Sequence, residues 1–231
     1  MKDDPLNLYS ASPTKSFFVA SGIIVFSCFF LSGCYRPPVE INRSPALVEI
    51  RETDESARIL RSVHMDGATT WFFHCLPKFH FEKQRELHDT DTTIKIKVTK
   101  VRLDVSLAIK IIIPHNVSED TRLHEKGHQL ICQQIYANAE EVAFSAAASM
   151  LGKEYSASAE SEADATRMAV DLAAQDLCAK YRSGTSEVTS SVSQIYDELT
   201  SEPNRVIQSE AVQNAFAIYR KNAQASSEEI R

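Results

Sequence analysis

Two histidines and a glutamate in one short segment are the residues of this chain best suited to chemistry. The segment reads His124-Glu125-Lys126-Gly127-His128, an H-E-x-x-H pattern. On a helix the two histidines lie four residues apart on one face, where both imidazoles can reach a single Zn²⁺. Glu125 faces the same site and can take a proton from a water molecule whose pKa the metal lowers to about 7. The pattern therefore predicts a catalytic zinc site with ligands His124 and His128 and the general base Glu125.

The sequence around the motif is typical of a helix. Ser118 and Asn116 are both suitable N-caps, and apolar residues follow the motif at helical spacing. Gly127 is unusual there, because a glycine inside a helix costs about 1 kcal/mol relative to alanine. We therefore expect a close neighbour at Gly127. The alternative interpretation is a solvated helix that carries two histidines by chance.

Composition limits the classes of function. The chain has 231 residues, which suffices for one sizeable domain or two small ones. Its 25 Lys and Arg against 31 Asp and Glu give a net charge of −6. Such a balance lacks the basic footprint of a nucleic-acid-binding protein, so no nucleic-acid partner is expected.

Residues 1–34 are typical of a bacterial targeting segment. A polar start with Lys2 and Lys15 leads into an apolar run at 17–30 that is shorter than a membrane-spanning helix. The ending Leu31-Ser32-Gly33-Cys34 resembles a lipobox, in which the cysteine is lipidated and becomes the mature N-terminus. The alternative is an uncleaved membrane anchor.

The lipobox resemblance also implies a location. Tyr35 follows Cys34, so the aspartate that retains lipoproteins at an inner membrane is absent. We therefore expect a lipid anchor in the bacterial cell envelope, in the outer membrane and facing the periplasm. Residues 35–46, which are rich in proline and polar residues, are predicted to form a tether.

The remaining sequence predicts an α+β, zincin-like domain at 47–205. Short strands at 47–51 and 69–74 precede strong apolar alternation at 92–113, whose phase changes at Thr99-Lys100 as at a β-bulge or a turn. This pattern predicts an N-terminal antiparallel sheet. After Pro114 the composition is helical and predicts a long helical hairpin that carries the H-E-x-x-H motif and turns near residue 155. Residues 206–231 are predicted as a C-terminal helix and tail.

The predicted hairpin places two cysteines opposite each other on its two helices. Cys132 and Cys178 are equally far from residue 155, and the exported compartment permits disulfides. A Cys132–Cys178 disulfide is one expectation, and two buried free thiols are the alternative. Cys75 is the odd third thiol of the mature chain.

A catalytic zinc usually has a third protein ligand, often a carboxylate. Glu160 and Asp164 form an E-x-x-x-D pattern that resembles the gluzincin arrangement, in which the glutamate binds the metal. Helix geometry argues against Glu160, because the hairpin would place it about 35 Å from His128 at 1.5 Å per residue. The alternative interpretation is that these acidic residues form the solvated first turn of a helix, where the helix dipole favours negative charge. In the predicted hairpin the returning chain would place residues 196–202, rather than Glu160, beside the histidines.

Several motifs together resemble a bacterial domain-of-unknown-function family of predicted secreted zinc-dependent proteases, whose members are zincin-like. The resemblance covers about 47–205, and its motifs are Gly67-Ala68-Thr69-Thr70-Trp71, the alternating strands ending at Pro114, the H-E-x-x-H helix and Tyr196-Asp197-Glu198-Leu199-Thr200. It implies a metallopeptidase with a Zn²⁺ cofactor, a peptide or protein substrate, and membrane attachment through the N-terminal lipid.

The resemblance also implies roles near the C-terminal end of the domain. The family segment resembles Y-D-x-x-T-x-H-G, whereas this chain has Glu202-Pro203 in place of His-Gly. By this resemblance Glu202 replaces the histidine as third ligand, Asp197 orients a ligand histidine, and Tyr196 donates a hydrogen bond to the oxyanion. The alternative interpretations are that Asp197 is an aspartate on the surface of a helix and that Tyr196 is a tyrosine of the hydrophobic core. The departure at Glu202 leaves a second function open, a non-enzymatic lipoprotein that acts as a binding or structural module.

Overall fold

The computed structural model describes residues 37–52, 66–88, 90–201 and 208–228. The described elements are, in chain order, β1 (Val39–Arg43), β2 (Leu47–Glu52), β3 (Ala68–Leu87), β4 (Thr92–Ile113), α1 (Glu119–Ala137), α2 (Ala139–Ala148), β5 (Glu154–Ala159), α3 (Glu162–Ser183), α4 (Ser186–Thr200) and α5 (Gln208–Glu228). The predicted targeting segment with Cys34 and the predicted ligand Glu202 lie outside the described residues. None of the helices in these ranges combines the length and the hydropathy that crossing a membrane requires.

Strand β4 is the centre of the sheet. Strand β3 pairs with one of its edges in antiparallel orientation, from Thr92 to Ile112. The other edge is shared by β5, which is antiparallel, and by β1 and β2, which are parallel. The chain thus combines a sheet with helices, as the α+β prediction states in its coarse form. The prediction of an antiparallel sheet is wrong for β1 and β2, because alternation has the same period in both orientations and does not encode strand direction.

The apolar alternation of β4 builds the main core. Inward residues from Ile94 to Ile113 are buried against α1, α2 and α3. The phase change is a β-bulge, since His80 pairs with Lys100 while Phe81 pairs with Val98, which leaves Thr99 as the extra residue. The bulge keeps Val98 and Val101 on the same buried face, as the change of phase predicted.

The predicted long helical hairpin is not formed. The first helix ends at Ala137 with Asn138 as its C-cap, α2 follows it, and the chain then turns through Gly152, whose φ is 77°. The Gly152 N–H donates to the carbonyl of Val98 at 2.8 Å, which returns the chain to the sheet. Strand β5 therefore occupies the predicted tip of the hairpin. Pairing with the open edge of β4 outweighs the helix propensity of this segment, as tertiary context often does.

Two other boundaries differ from the prediction. Residues 39–43 of the predicted tether form β1, so the sheet begins eight residues before the predicted domain. Strand β3 continues through Pro77 and the predicted loop to Leu87. Pro77 is tolerated because β3 pairs with β4 alone among the described strands, so the missing N–H breaks no second ladder. Near the end of β3, Lys83 and Arg85 pair with Glu162 of α3, which accounts for charged residues within a strand.

A disulfide joins β3 to α3. It connects Cys75 with Cys178, and Cys132 is a fully buried free thiol. The predicted Cys132–Cys178 pair is therefore wrong. The prediction assumed that two helices join at a turn at residue 155. Strand β5 lies there instead, and α3, which follows β5, packs so that Cys178 meets Cys75 on the inward face of β3.

We expect loss of this disulfide to destabilise the fold. Replacing both Cys75 and Cys178 by serine should lower the free energy of unfolding by about 2–4 kcal/mol, because the bond closes a loop of about 100 residues in the unfolded chain. Thermal unfolding with and without a reductant measures the effect. The reductant should lower the melting temperature of the wild type and leave that of the double variant unchanged. An equal decrease in both proteins would contradict the pairing.

Candidate metal centre

Helix α1 forms where the sequence predicts it and presents the H-E-x-x-H motif. The Ser118 side chain accepts a hydrogen bond from the Thr121 N–H at 3.1 Å, so it caps the helix. Farther along, Ile131 and Ile135 are buried against α4 and α5. This packing directs the two histidines of the preceding turns toward the end of α4.

Two histidines and an aspartate converge at one point. The Oδ1 atom of Asp197 lies 2.9 Å from Nε2 of His128 and 3.3 Å from Nε2 of His124, and the two Nε2 atoms are 3.2 Å apart. A metal ion bound tetrahedrally through bonds of about 2.0–2.1 Å separates its ligand atoms by about 3.3–3.4 Å. The three atoms fit this spacing, so His124, His128 and Asp197 form a group that could hold a metal ion.

The structure thus changes the role assigned to Asp197. As an orienting residue its carboxylate should bind Nδ1, the imidazole nitrogen opposite the metal. Instead, the carboxylate contacts Nε2 of both histidines, where a metal ion would be bound. Nδ1 of His124 lies 3.2 Å from the Thr200 hydroxyl. Asp197 is therefore a candidate ligand, and Thr200 is the group that orients His124.

The alternative third ligand, Glu160, is far from the histidines. It follows Ala159, which pairs with Thr92, whereas Glu125 contacts Thr69, which pairs with Ile111. The 19 positions from Thr92 to Ile111 correspond to about 60 Å of strand at 3.3 Å per residue. The structure therefore does not bring Glu160 to the histidines, although the helical hairpin on which the argument against Glu160 relied is not formed.

Electrostatics couples the three groups. Burial disfavours the charged form of Asp197, but hydrogen bonds from His124 and His128 outweigh burial and hold the pKa of this carboxyl group well below its usual value. The hydrogen bond to Asp197 in turn raises the pKa of His124. A metal ion must therefore displace a proton that Asp197 stabilises, so we expect metal affinity to rise with pH.

Tyr196 packs against the histidine His124 and against the backbone of α1. Its fully buried ring stacks on His124 with a centroid distance of 5.2 Å. The hydroxyl donates to the His124 carbonyl at 3.2 Å and accepts a hydrogen bond from Gln208 Nε2 at 2.7 Å. This hydroxyl is engaged against the helix backbone, so in the described structure Tyr196 positions His124. Its role in stabilising an oxyanion stays a prediction.

Gly127 permits this contact. A Cβ atom at residue 127 would overlap both the hydroxyl and the ring of Tyr196. The expected close neighbour of Gly127 is thus confirmed, and it is the tyrosine that precedes Asp197. The contact sets the separation of α1 and α4 at the histidines.

Helix α5 packs with α1 and α4 and completes a second, smaller hydrophobic core next to the metal centre. This core, which we call the site core, consists of Ile131, Ile135, Val192, Tyr196, Ala211, Val212, Ala215 and Phe216. Gln208, at the start of α5, makes the hydrogen bond to Tyr196. The sequence contained no signal for Gln208, because its partner is defined only by the packing of α5.

Glu125 lies between α1 and the start of β3. Only 5% of its surface is exposed, and the Thr69 hydroxyl donates to its Oε2 atom at 2.6 Å. A Cβ atom at Gly67 would lie 2.7 Å from its Oε1 atom. Gly67 and Thr69 thus contact the carboxylate, and Trp71, the next alternate residue of the motif, lines the same cleft of about 410 Å³. The sequence motif marked this segment but not its contact with Glu125.

Comparison of the chain with protein-family models, with curated proteins and with solved structures finds no match.

We predict that Asp197 is required for metal binding and that Glu160 is not. Asp197→Ala should lower zinc affinity at least about tenfold, because one ligand is lost, whereas Glu160→Ala should bind like the wild type. Elemental analysis after dialysis and titration with a zinc-sensitive dye measure stoichiometry and affinity. Unchanged zinc binding by Asp197→Ala would exclude this carboxylate as a ligand.

We also predict that Gly127→Ala destabilises the protein despite the better helix propensity of alanine. The new methyl group must displace the buried Tyr196, and overpacking of this kind costs about 1–3 kcal/mol. Chemical denaturation measures the change. The effect should be smaller when Tyr196→Leu is also present, since the two substitutions share one contact. Equal effects of Gly127→Ala in both backgrounds would contradict the contact.

Proposed function

We propose that this protein is a zinc-dependent metallohydrolase of the bacterial envelope, attached by a lipid at Cys34, and that it acts as a peptidase. The observation that carries the proposal is the convergence of His124, His128 and Asp197, with separations of 2.9–3.3 Å between ligand atoms, next to the buried carboxylate of Glu125. An arrangement of three ligands and an adjacent base is typical of catalytic rather than structural zinc sites.

The donor set favours zinc as the metal. Two imidazole nitrogens and one carboxylate oxygen suit Zn²⁺, and three protein ligands leave a fourth position free for water or substrate. When bound, zinc would polarise a substrate carbonyl and lower the pKa of a water molecule to about 7. The chain itself must then provide the acid–base chemistry and the binding of the substrate.

Glu125 is the residue suited to proton transfer. The Thr69 hydrogen bond fixes the orientation of its carboxylate and occupies Oε2, and the absence of a side chain at Gly67 leaves space for Oε1. In the proposed reaction the water oxygen bonds to the carbonyl carbon of the peptide while Glu125 takes a proton from the water. Glu125 then delivers this proton to the peptide nitrogen as the C–N bond breaks, so that the amine leaves and a carboxylate remains. Thr200 would hold His124 in position during these steps, and Asp197 would act as the third metal ligand.

The edge of the sheet supports a peptide as substrate. Among the described strands β3 pairs only with β4, so its other edge carries backbone groups that a peptide can bind as an added strand. Its first residues, Ala68 and Thr69, lie beside Glu125 and line the cleft. An extended peptide on this edge would pass the metal centre. The resemblance of the Gly67–Trp71 and Tyr196–Thr200 motifs to a family of predicted secreted proteases supports the same proposal.

One observation favours a second candidate, a non-enzymatic envelope lipoprotein with a structural metal. Histidines that bind a metal usually donate their other N–H to a carboxylate or a carbonyl. Nδ1 of His128 is buried and has no hydrogen-bond partner among the described residues. A less firmly oriented ligand is compatible with a metal that only stabilises a binding module.

Glu125→Gln separates the two candidates. The amide removes the proton acceptor but keeps the shape of the side chain, so we expect unchanged zinc content and a loss of about 10²–10⁴-fold in kcat. Cleavage of a library of quenched fluorescent peptides, with zinc content determined on the same samples, measures both effects. Thr70→Ser, an exposed change on the opposite face of β3, is the control. Equal cleavage by wild type and Glu125→Gln would refute the proposed mechanism.

A further inference from the structure

The cleft beside Glu125 extends away from the metal centre between β3 and α4. Its volume is about 410 Å³, which is enough for one large amino-acid side chain. We call it the side-chain cleft. Its lining residues outside the metal centre are Ala68, Thr69, Trp71, Ser190, Ser193 and Gln194.

The charges around the side-chain cleft disfavour an acidic occupant. Its charged lining groups are the carboxylates of Glu125 and Asp197, and no lysine or arginine lines it among the described residues. A negatively charged side chain would meet like charges without a cation to pair with it. A divalent metal ion balances the two carboxylates, so a positively charged side chain gains no net attraction either. The cleft therefore suits a neutral group.

The polar groups of α4 define what that neutral group must offer. The Gln194 amide N–H donates to Glu198 at 3.2 Å, which leaves the Gln194 carbonyl oxygen as an acceptor. The Ser190 hydroxyl donates to the Ser186 carbonyl at 3.0 Å, so its oxygen remains available as an acceptor. Both residues line the cleft, so their acceptor oxygens are available to an occupant with N–H donors.

Ser193 provides the complementary donor. Its hydroxyl is buried and has no hydrogen-bond partner among residues 37–52, 66–88, 90–201 and 208–228. Buried hydroxyl groups are usually paired, and rotation of this one toward the cleft would break no existing hydrogen bond. Ser193 can therefore donate to a carbonyl oxygen of an occupant. Trp71, which is half-buried, adds a flat apolar wall.

We propose that the side-chain cleft is a specificity pocket for a substrate residue with a carboxamide side chain, asparagine or glutamine. The planar amide offers an NH₂ group to the acceptors of Gln194 and Ser190 and a carbonyl oxygen to the Ser193 hydroxyl, and it can stack on Trp71. This inference rests on the proposed peptidase function, whose metal centre holds the substrate backbone beside the cleft.

The chain contains a reporter for this pocket. Trp71 is its single tryptophan and lines the side-chain cleft, so intrinsic tryptophan fluorescence responds to an occupant of the cleft. Amino-acid hydroxamates are suitable probes, because the hydroxamate binds zinc while the side chain samples the cleft. Binding of the asparagine, glutamine, glutamate and leucine hydroxamates is measured by fluorescence titration of the zinc-loaded full chain in detergent.

We expect the better-fitting carboxamide hydroxamate to bind about three- to tenfold more tightly than the leucine and glutamate hydroxamates, the effect of one or two net hydrogen bonds. Ser193→Ala should remove most of the preference over leucine. Gln194→Leu, at an exposed position that tolerates substitution, should do the same. Ser191→Ala is the matched control, because Ser191 is exposed on the same helix and its hydroxyl donates to the Glu187 carbonyl outside the cleft. It should retain the full preference.

The outcomes separate this inference from the proposed function. Equal affinities for the carboxamide and leucine hydroxamates, or a preference unchanged by both Ser193→Ala and Gln194→Leu, would overturn the specificity pocket while leaving the metal centre intact. Failure of the protein to bind zinc, together with failure to bind any hydroxamate, would overturn the proposed metallohydrolase itself.

Discussion

The contact between Gly127 and Tyr196 is the constraint on which the candidate site depends. It is close because residue 127 has no side chain, and the tyrosine hydroxyl then reaches the backbone of α1 at His124. The next residue along α4 is Asp197, so the same contact carries its carboxylate to the two Nε2 atoms. A larger residue at 127 would separate the helices and disperse the three ligand atoms.

The remaining structure makes this contact rigid. The main core fixes α1 against the long strand β4, and the site core closes around Tyr196 from the side of α5. Helix α5 is therefore part of the candidate centre, although it lies at the end of the chain. The Cys75–Cys178 disulfide ties α3 to β3, the strand that also provides Thr69 beside Glu125. Catalytic groups need this kind of support, because a shift of about 1 Å can reduce a rate by about 10²-fold.

The polar groups of the site lie on two sides of α1. On one side Asp197 and Thr200 contact the histidines, and on the other Thr69 holds the carboxylate of Glu125. In the proposed peptidase this division would keep Glu125, the proposed base, from competing with Asp197 for the histidines. The side-chain cleft would then lie next to the proposed base, where a substrate residue could be bound while its peptide bond is positioned.

The sequence by itself determined the local features of this protein. The motif spacing defined the face of α1 with His124, Glu125 and His128, the alternation of β4 defined its buried face, and its phase change located the bulge at Thr99. Such features depend on period and spacing within one element, which a sequence contains directly.

Only the tertiary structure decided which elements meet. Asp197 rather than Glu160 joins the histidines, Cys75 rather than Cys132 pairs with Cys178, and the Tyr196 hydroxyl donates to the backbone of α1 at His124. Each of these results follows from the strand β5 that replaces the predicted hairpin tip, or from the packing of α4 and α5 on α1. Contacts between residues 70 to 100 positions apart depend on the directions of whole elements, and periodicity within a segment carries no information about direction.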